Sequence, residues 1–508
     1  MTTNSTTKRV IKNASLGILL KLLTILFTFI NRTLFIKVLG EQYLGINGLY
    51  SNVLAVLSLA DLGVNSVLMF FLYEPLVHKD EQKLVTLITY FKKIYNIIAI
   101  SIFVIGLALI PFLPSLVTNT RLTFSELVVY YLLFLINTCC SYLAIYKSTI
   151  LVADQLAYVV NTVNFMFTVA QSLVQIFILY VTREYAYYLI IAITCTLGNN
   201  IMLTILTNKR YPFLKTVLPE KNISNFRSKI LSNIKNVFLY RIGGTIMNST
   251  DNILISILIG TSIVGYYSNY TLIVSNLMLL LMFFSQAIMS AMGNFGVDAD
   301  PDRRELVFRT VMLIYAGIAA FTCGCIVSMM NDFMIFWLGD GKYILSQSFV
   351  FVLAAKLFVD IITSPNWTFR ESAGLFKEVR LVMFVAAVLN LILSVLFEQI
   401  IGLAGIIIAT SAAKILTLFW YEPRTFYRKI FKKPLFRYWS YEMRLVIMAV
   451  ASIALSFGLS NLFSGSLIGM VVKIIISAIS TTIVFGVLGR NTEEFRFCIN
   501  KIRRRGVY

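Results

Sequence analysis

The sequence predicts an all-α polytopic membrane protein with about fourteen transmembrane helices. Hydrophobic residues make up 58% of the 508-residue chain, charged residues make up only 13%, and the mean hydropathy is +0.81. A soluble domain of this length could not bury so much apolar surface in one core, and it would carry roughly twice this share of charge. Lipid is therefore the expected solvent for most of the chain.

Evenly spaced apolar segments follow one another along the whole sequence. A hydrocarbon core of roughly 30 Å requires about 20 apolar residues in a helix. The segments are centred near Thr24, Leu57, Ile102, Leu135, Thr168, Thr196, Met247, Leu277, Ala316, Leu357, Leu389, Ser411, Ala454 and Ser477. The first segment is too long for a cleavable signal peptide, so we expect it to be the first span. The short connections leave no room for a soluble domain.

Lysine and arginine are distributed asymmetrically between the two sets of loops. Alternate loops and both termini hold 34 of the 44 basic residues, and the opposite loops hold four. Because basic loops stay in the cytoplasm, both termini are predicted to be cytoplasmic in a multi-pass protein of the plasma membrane. In a soluble protein the net charge of +20 would suggest nucleic acid, but here membrane orientation explains it, and no nucleic-acid partner is expected.

Residue types that carry most enzyme chemistry are absent or scattered. The chain has one histidine, His78, and its six cysteines lie in apolar spans or in the basic tail. No metal site, phosphate-cradling glycine loop or nucleophile elbow is recognisable. The loops on the outer side are short, whereas a glycan-assembling enzyme would need a sizeable one. We therefore predict that the protein is not an enzyme and has no resident cofactor.

Two basic amphipathic segments, residues 83–95 and 222–237, lie on the predicted cytoplasmic side. Apolar residues follow helical spacing in both, and lysine or arginine flanks them. Such segments lie at the headgroup boundary in some proteins. Their periodicity also continues directly into the following span, so they could equally be extensions of the third and seventh spans.

The two halves of the chain share a weak internal repeat with an offset of 220 residues. Equivalent pairs are Gly40 and Gly260, Gly45 and Gly265, Tyr50 and Tyr270, Asn31 and Asp251, and Arg32 and Asn252. Such repeats place a transport pathway between two halves. The predicted parts are an N-terminal six-helix bundle (1–207), a basic linker (208–235), a C-terminal six-helix bundle (236–422), an additional helix pair (423–489) and a basic cytoplasmic tail (490–508).

Several motifs resemble those of Wzx-type polysaccharide flippases. They are Asn31-Arg32, YLGINGL at 43–49, LADLG at 59–63, STDN at 249–252, VGYYSNY at 264–270 and FWLG at 336–339. Wzx-type flippases belong to the MOP (multidrug/oligosaccharidyl-lipid/polysaccharide) exporter superfamily, which also contains multidrug exporters and lipid II flippases. The resemblance covers essentially the whole chain. Its motifs carry no catalytic signature and do not specify a particular glycan.

The resemblance implies a V-shaped pair of six-helix bundles that alternates between inward-open and outward-open states. It implies transport of undecaprenyl-diphosphate-linked oligosaccharide repeat units across a bacterial plasma membrane for surface polysaccharide assembly. Transport would use a proton or sodium gradient. The implied partners are the lipid-linked glycan, membrane lipids, and glycan polymerases and glycosyltransferases of the same assembly route.

A MATE-like antiporter of organic cations is the alternative function, and charges within the spans discriminate between the two. Basic residues within spans are Lys21, Arg32, Arg241, Lys356, Lys414 and Lys473, and acidic ones are Asp61, Asp251 and Asp360. An excess of cations suits a diphosphate better than an organic cation. The charge pattern therefore favours the flippase.

The predicted substrate-binding residues are basic and lie within the spans. Arg32 and Arg241 rank first, because a guanidinium binds phosphate oxygens bidentately and the repeat makes their helices counterparts. Lys21 ranks next, and Lys356 is discounted because Asp360 follows it one turn later. Lys414 and Lys473 are expected to extend towards the interfaces.

The predicted ion-coupling residues are the acids of the spans. Asp251 ranks first because the repeat aligns it with Asn31, the neighbour of Arg32. Asp61 ranks second, and Asp360 is third because Lys356 could neutralise it. No nucleotide-binding motif is present, so we expect transport to draw on an ion gradient.

Overall fold

The computed structural model describes residues 3–58, 63–220, 224–295, 301–339, 341–372, 375–463 and 465–498. Within these ranges every regular element is helical. The first ten helices are α1 (Thr3–Leu39), α2 (Glu41–Leu57), α3 (Val64–His78), α4 (Glu81–Ala108), α5 (Leu113–Leu116), α6 (Phe124–Ser141), α7 (Ile145–Ala153), α8 (Ala157–Thr182), α9 (Tyr185–Arg210) and α10 (Phe213–Thr216). The remaining nine are α11 (Ser224–Leu258), α12 (Thr261–Phe295), α13 (Pro301–Leu338), α14 (Gln347–Ser372), α15 (Phe376–Ile401), α16 (Leu403–Leu416), α17 (Leu418–Phe426), α18 (Phe436–Ser460) and α19 (Leu467–Gly489).

The predicted fold class is confirmed, since all fourteen predicted span centres lie in helices. Within the described residues, eleven helical segments are long and apolar enough to cross a membrane. The second predicted span is divided between the shorter helices α2 and α3. The seventh and eighth predicted spans lie in α11 and α12, and both helices contain residues whose side chains are outside the described part of the structure. The chain is therefore a multi-pass membrane protein.

Both amphipathic segments are continuous with the span that follows them. Helix α4 begins at Glu81, where the side chain of Asp80 accepts a hydrogen bond from the backbone N–H of Lys83. This cap satisfies a free N–H group at the helix start, so the helix extends without a break into the apolar region. Helix α11 likewise extends from Ser224 to Leu258. Of the two interpretations left open by the sequence, the structure supports the helical extension.

The chain forms two compact units, Met1–Gly265 and Tyr266–Tyr508. In the first unit α1 packs on α8, α8 and α6 pack on α9, and α11 packs on α2. In the second unit α13 packs on α14, α18 and α19, and α15 packs on α16. The five sequence segments predicted above stay a prediction.

Equivalent residues of the repeat adopt equivalent conformations. Gly40 and Gly260 each precede a helix with positive φ, 84° and 145° respectively, where L-residues are strained. The side chains of Tyr50 and Tyr270 are both buried, and their hydroxyls both reach the backbone near the start of the fourth predicted span of their repeat. Tyr50 donates to the carbonyl oxygen of Leu127 (3.1 Å), and Tyr270 accepts from the backbone N–H of Leu345 (2.8 Å).

Candidate functional site

A buried polar network crosses the interior of the first unit beside α1. The Asn31 Nδ2 donates to Oε1 of Gln175 on α8 (2.9 Å) and to the hydroxyl of Tyr188 on α9 (3.4 Å). The Gln175 Nε2 in turn donates to the backbone oxygen of Tyr188 (3.0 Å). Gln175 is only 1% exposed. Because unpaired polar groups are costly in an apolar interior, these bonds hold α1, α8 and α9 in one register.

Arg32, next to Asn31, lies against a group of aromatic rings that we call the tyrosine cluster: Tyr43, Tyr130, Tyr185 and Tyr188. The ring of Tyr185 packs 4.9 Å from Tyr130, 5.3 Å from Tyr43 and 6.0 Å from Tyr188 between centroids. The guanidinium of Arg32 lies near Tyr185 and Tyr188. Its side chain is half-buried, whereas Tyr185 is 1% exposed.

This arrangement combines a permanent cation with neutral hydrogen-bonding groups. Arginine stays charged and presents a planar fork that matches two phosphate oxygens. Tyrosine hydroxyls can donate hydrogen bonds to an anion or to sugar hydroxyls. Four helices, α1, α2, α6 and α9, supply these groups, so the site is held by packed elements rather than by a loop.

The other predicted substrate-binding residues occupy separate positions. Lys21 is half-buried on α1, eleven residues before Arg32 and therefore about three turns away on nearly the same face. Lys356 is half-buried on α14. Arg241 belongs to α11, but its side chain lies outside the described residues.

Two further span lysines form ion pairs instead of extending towards the interfaces. The Lys414 Nζ on α16 binds the carboxylate of Asp360 on α14. Asp360, for which Lys356 was the predicted partner, thus binds a lysine of another helix. The Lys473 Nζ on α19 lies 2.6 Å from a carboxylate oxygen of Asp332. Because α13 continues to Leu338, Asp332 lies on this helix and its carboxylate meets α19.

Asp251, the first candidate for ion coupling, is 4% exposed on α11. It lies on the helix that packs against α2, α3 and α5. Asp61, the second candidate, lies outside the described residues. The structure thus places Asp251 in a buried environment and Asp360 in an ion pair, and their role in coupling stays a prediction.

Sequence reasoning overlooked a buried polar group between α15 and α16. The Asn390 Nδ2 donates to the hydroxyl of Thr410 (3.0 Å), and both residues are fully buried. Ser394 and Ser411 are also buried on the same two helices. In the sequence, these residues are recognisable as one amide and three hydroxyl side chains within otherwise apolar spans. Amide and hydroxyl oxygens suit a hard cation better than a transition metal.

No family model matches the sequence, and no curated protein matches it either. The fold nevertheless matches solved structures. The lipid II flippase MurJ in an inward closed conformation aligns with a TM-score of 0.67 and 14% identity, over 94% of this chain and 99% of MurJ.

Multidrug transporters match over a smaller share of the chain. An inward-facing MATE transporter of the MOP superfamily aligns with a TM-score of 0.60 and 14% identity, over 81% of this chain and 98% of that one. The MATE transporter DinF-BH aligns with a TM-score of 0.57 and 14% identity, over 83% and 95%. These neighbours are transporters rather than enzymes. At this identity the likeness shows the fold, and the chain therefore has the fold of the MOP-superfamily transporters and flippases.

Proposed function

We propose that the protein is a flippase that moves undecaprenyl-diphosphate-linked oligosaccharides across a bacterial plasma membrane for surface polysaccharide assembly. The main support is the match with the MurJ flippase over 94% of the chain. The two MATE transporters match 81% and 83% of the chain. Because MurJ aligns with more of the chain, we favour a lipid-linked substrate over a small organic cation.

In this proposal the headgroup of the substrate binds beside Arg32. The guanidinium neutralises part of the diphosphate charge and binds its oxygens in a bidentate manner. Hydroxyls of the tyrosine cluster hydrogen-bond the remaining oxygens or the first sugar. The lipid tail stays in the bilayer, so only the polar part of the substrate requires a polar path.

Coupling to a proton or sodium gradient is part of the proposal. Asp251 is the first candidate, since an ionisable residue buried within a membrane span is costly unless it has a function or a partner. The oxygen-rich group of Asn390, Ser394, Thr410 and Ser411 is a second candidate for a sodium ion. Both termini are proposed to lie in the cytoplasm, because 34 basic residues occupy that side.

The MATE-like antiporter remains the second candidate function, because a buried acid such as Asp251 could also bind an organic cation. The two functions predict opposite effects at Arg32. Loss of a cation should impair a flippase for an anionic lipid, whereas it should leave or improve binding of a cationic drug.

The test is a strain that depends on this protein for its surface glycan, carrying Arg32→Ala or Arg32→Lys at matched protein level. We expect Arg32→Ala to lower glycan export roughly tenfold or more, since hydrogen bonds to charged groups contribute about 1.5–3 kcal/mol. Arg32→Lys should recover part of the export, because it restores charge but not the planar fork. Arg183→Ala, an exposed residue between α8 and α9, is the matched control. Full export by Arg32→Ala would contradict the proposed site.

A further inference from the structure

Four glutamates of the second unit are almost fully buried. Glu305 is 3% exposed, Glu422 is 5% exposed, and Glu442 and Glu494 are each 2% exposed. Three of these carboxylates have a basic partner. Glu305 lies 2.5 Å from the Lys433 Nζ, Glu494 lies 2.9 Å from Arg309 Nη2, and Glu422 lies 3.4 Å from Arg370 Nη1.

Glu442 differs from the other three. Within the part of the chain that the structure describes, neither of its carboxylate oxygens has a hydrogen-bond partner. It lies on α18, one turn after Tyr438, on the buried face of the helix that also carries Leu445 and Met448. This face packs against α13, and α19 packs on the same helix.

The charged groups on the surrounding elements have partners of their own. On α13, Arg309 binds Glu494 and its guanidinium lies over the ring of Tyr441 at 4.2 Å, while Glu305 is bound by Lys433. The other charged side chains on the packed helices are Asp302, Arg303, Arg304 and Asp332 on α13 and Lys473 on α19, and α18 itself carries Arg437, Tyr438, Tyr441 and Arg444. Arg370 binds Glu422, and Lys473 binds Asp332.

The tyrosines beside Glu442 also have hydrogen bonds elsewhere. The Tyr438 hydroxyl accepts from Asn366 Nδ2 (2.9 Å), and the Tyr441 hydroxyl donates to the backbone oxygen of Arg309 (3.2 Å). Arg444 donates to the backbone oxygen of Leu488 (2.5 Å). None of these groups supplies a counter-charge to Glu442 in this conformation.

An ionised carboxylate at this position would be a buried charge without compensation, and such groups take up a proton instead. We propose that Glu442 is a proton-binding site in the additional helix pair and that it carries a proton in this conformation. Glu442 lies six positions after the start of α18, which is about 9 Å along the helix. A proton that arrives from this end of the helix therefore crosses only part of the span. The inference does not depend on the transported substrate.

The experiment is infrared spectroscopy of the purified full-length protein in lipid nanodiscs, titrated from mildly acidic to mildly alkaline pH. The variants are Glu442→Gln and the control Glu494→Gln, which removes a carboxylate of equal burial that is ion-paired. We expect the wild type to show a protonated carboxylic acid band at neutral pH that is absent from Glu442→Gln. Glu494→Gln should retain that band. An unchanged band in Glu442→Gln would overturn the proposal.

Thermal unfolding in the same nanodiscs provides a second measurement. Glutamine has the shape of a neutral glutamic acid, so Glu442→Gln should unfold within a few degrees of the wild type at neutral pH. Glu494→Gln should unfold at a lower temperature, because it removes the charge partner of Arg309, whose side chain is only 22% exposed. If Glu442→Gln failed to fold while Glu442→Asp folded normally, the carboxylate would be ionised and the proposal would be wrong.

Discussion

Gly45 and Gly265, equivalent residues of the internal repeat, each pack against the first residue of the helix that contains the other. A Cβ at Gly45 would overlap the backbone oxygen of Thr261, the first residue of α12. A Cβ at Gly265 would lie 2.7 Å from the backbone oxygen of Glu41, the first residue of α2. The contact is thus reciprocal, and both of its halves lie within the first unit.

Hydrogen bonds reinforce this contact within the first unit. The backbone N–H of Thr261 donates to the oxygen of Thr118 (3.2 Å), and the Ser256 hydroxyl donates to the oxygen of Leu116 (2.7 Å). Asn119 has a positive φ of 53° and donates from Nδ2 to the oxygen of Ile259 (3.2 Å). The corner between α11 and α12 is therefore held by α2 and by the segment between α4 and α6.

Gly45→Ala is the first prediction. The added methyl meets backbone rather than a flexible side chain, so we expect a loss of about 1–3 kcal/mol in the free energy of unfolding. Gly317→Ala is the control, since a Cβ there meets nothing within 4 Å and alanine is the better helix former. Thermal unfolding of both purified variants would measure the difference. Equal stability of the two variants would show that the close approach at Gly45 is not required.

Opposite labelling of Thr120 and Glu220 is the second prediction, and it tests the topology. Single cysteines at these positions, in a chain whose six cysteines are replaced by serine, should react with a membrane-impermeant thiol reagent from opposite sides. Thr120 should be labelled in intact cells, whereas Glu220 should be labelled only after the membrane is opened. Labelling of both cysteines in intact cells would contradict the proposed cytoplasmic termini.

The third prediction concerns the ion pair between Lys414 and Asp360. Removing one partner, as in Asp360→Asn or Lys414→Met, should destabilise the protein by about 1–2 kcal/mol. This is less than for a fully buried pair, because the two side chains are 22% and 18% exposed and solvent screens them. The double variant should lose less than the sum of the single variants, which a double-mutant cycle of unfolding temperatures would measure. Additive losses would show that the two groups do not interact.

The fourth prediction concerns the energy source. Flipping of a fluorescent lipid-linked oligosaccharide in proteoliposomes should require no nucleotide and should slow when the proton and sodium gradients are both collapsed. Asp251→Asn should reduce the response to one of the two gradients, because it removes the charge while preserving the shape of the side chain. Asp154→Asn is the control, since Asp154 bonds Tyr211 (2.7 Å) outside the spans. Unchanged flipping after collapse of both gradients would contradict ion coupling.

The amino-acid sequence alone was enough to locate the helices and to align equivalent residues of the repeat. Hydropathy is a local property, because each apolar segment must cross the same thickness of lipid, so every predicted span centre lies in a helix of the described residues. Gly45 and Gly265 were paired from spacing alone, since a repeat conserves the positions at which backbones come close. The positive φ of Gly40 and Gly260 follows from the same cause.

Only the tertiary structure decided which charges meet. Lys356 and Asp360 are one turn apart in sequence, yet Asp360 binds Lys414 from another helix, 54 residues away. Lys473 binds Asp332 across 141 residues, which required knowing that α13 extends to Leu338. Spacing along one helix defines a face, but the neighbour of that face depends on how helices pack and where each one ends. For the same reason the tyrosine cluster around Arg32 and the buried, unpartnered Glu442 became visible only once the helices were assembled.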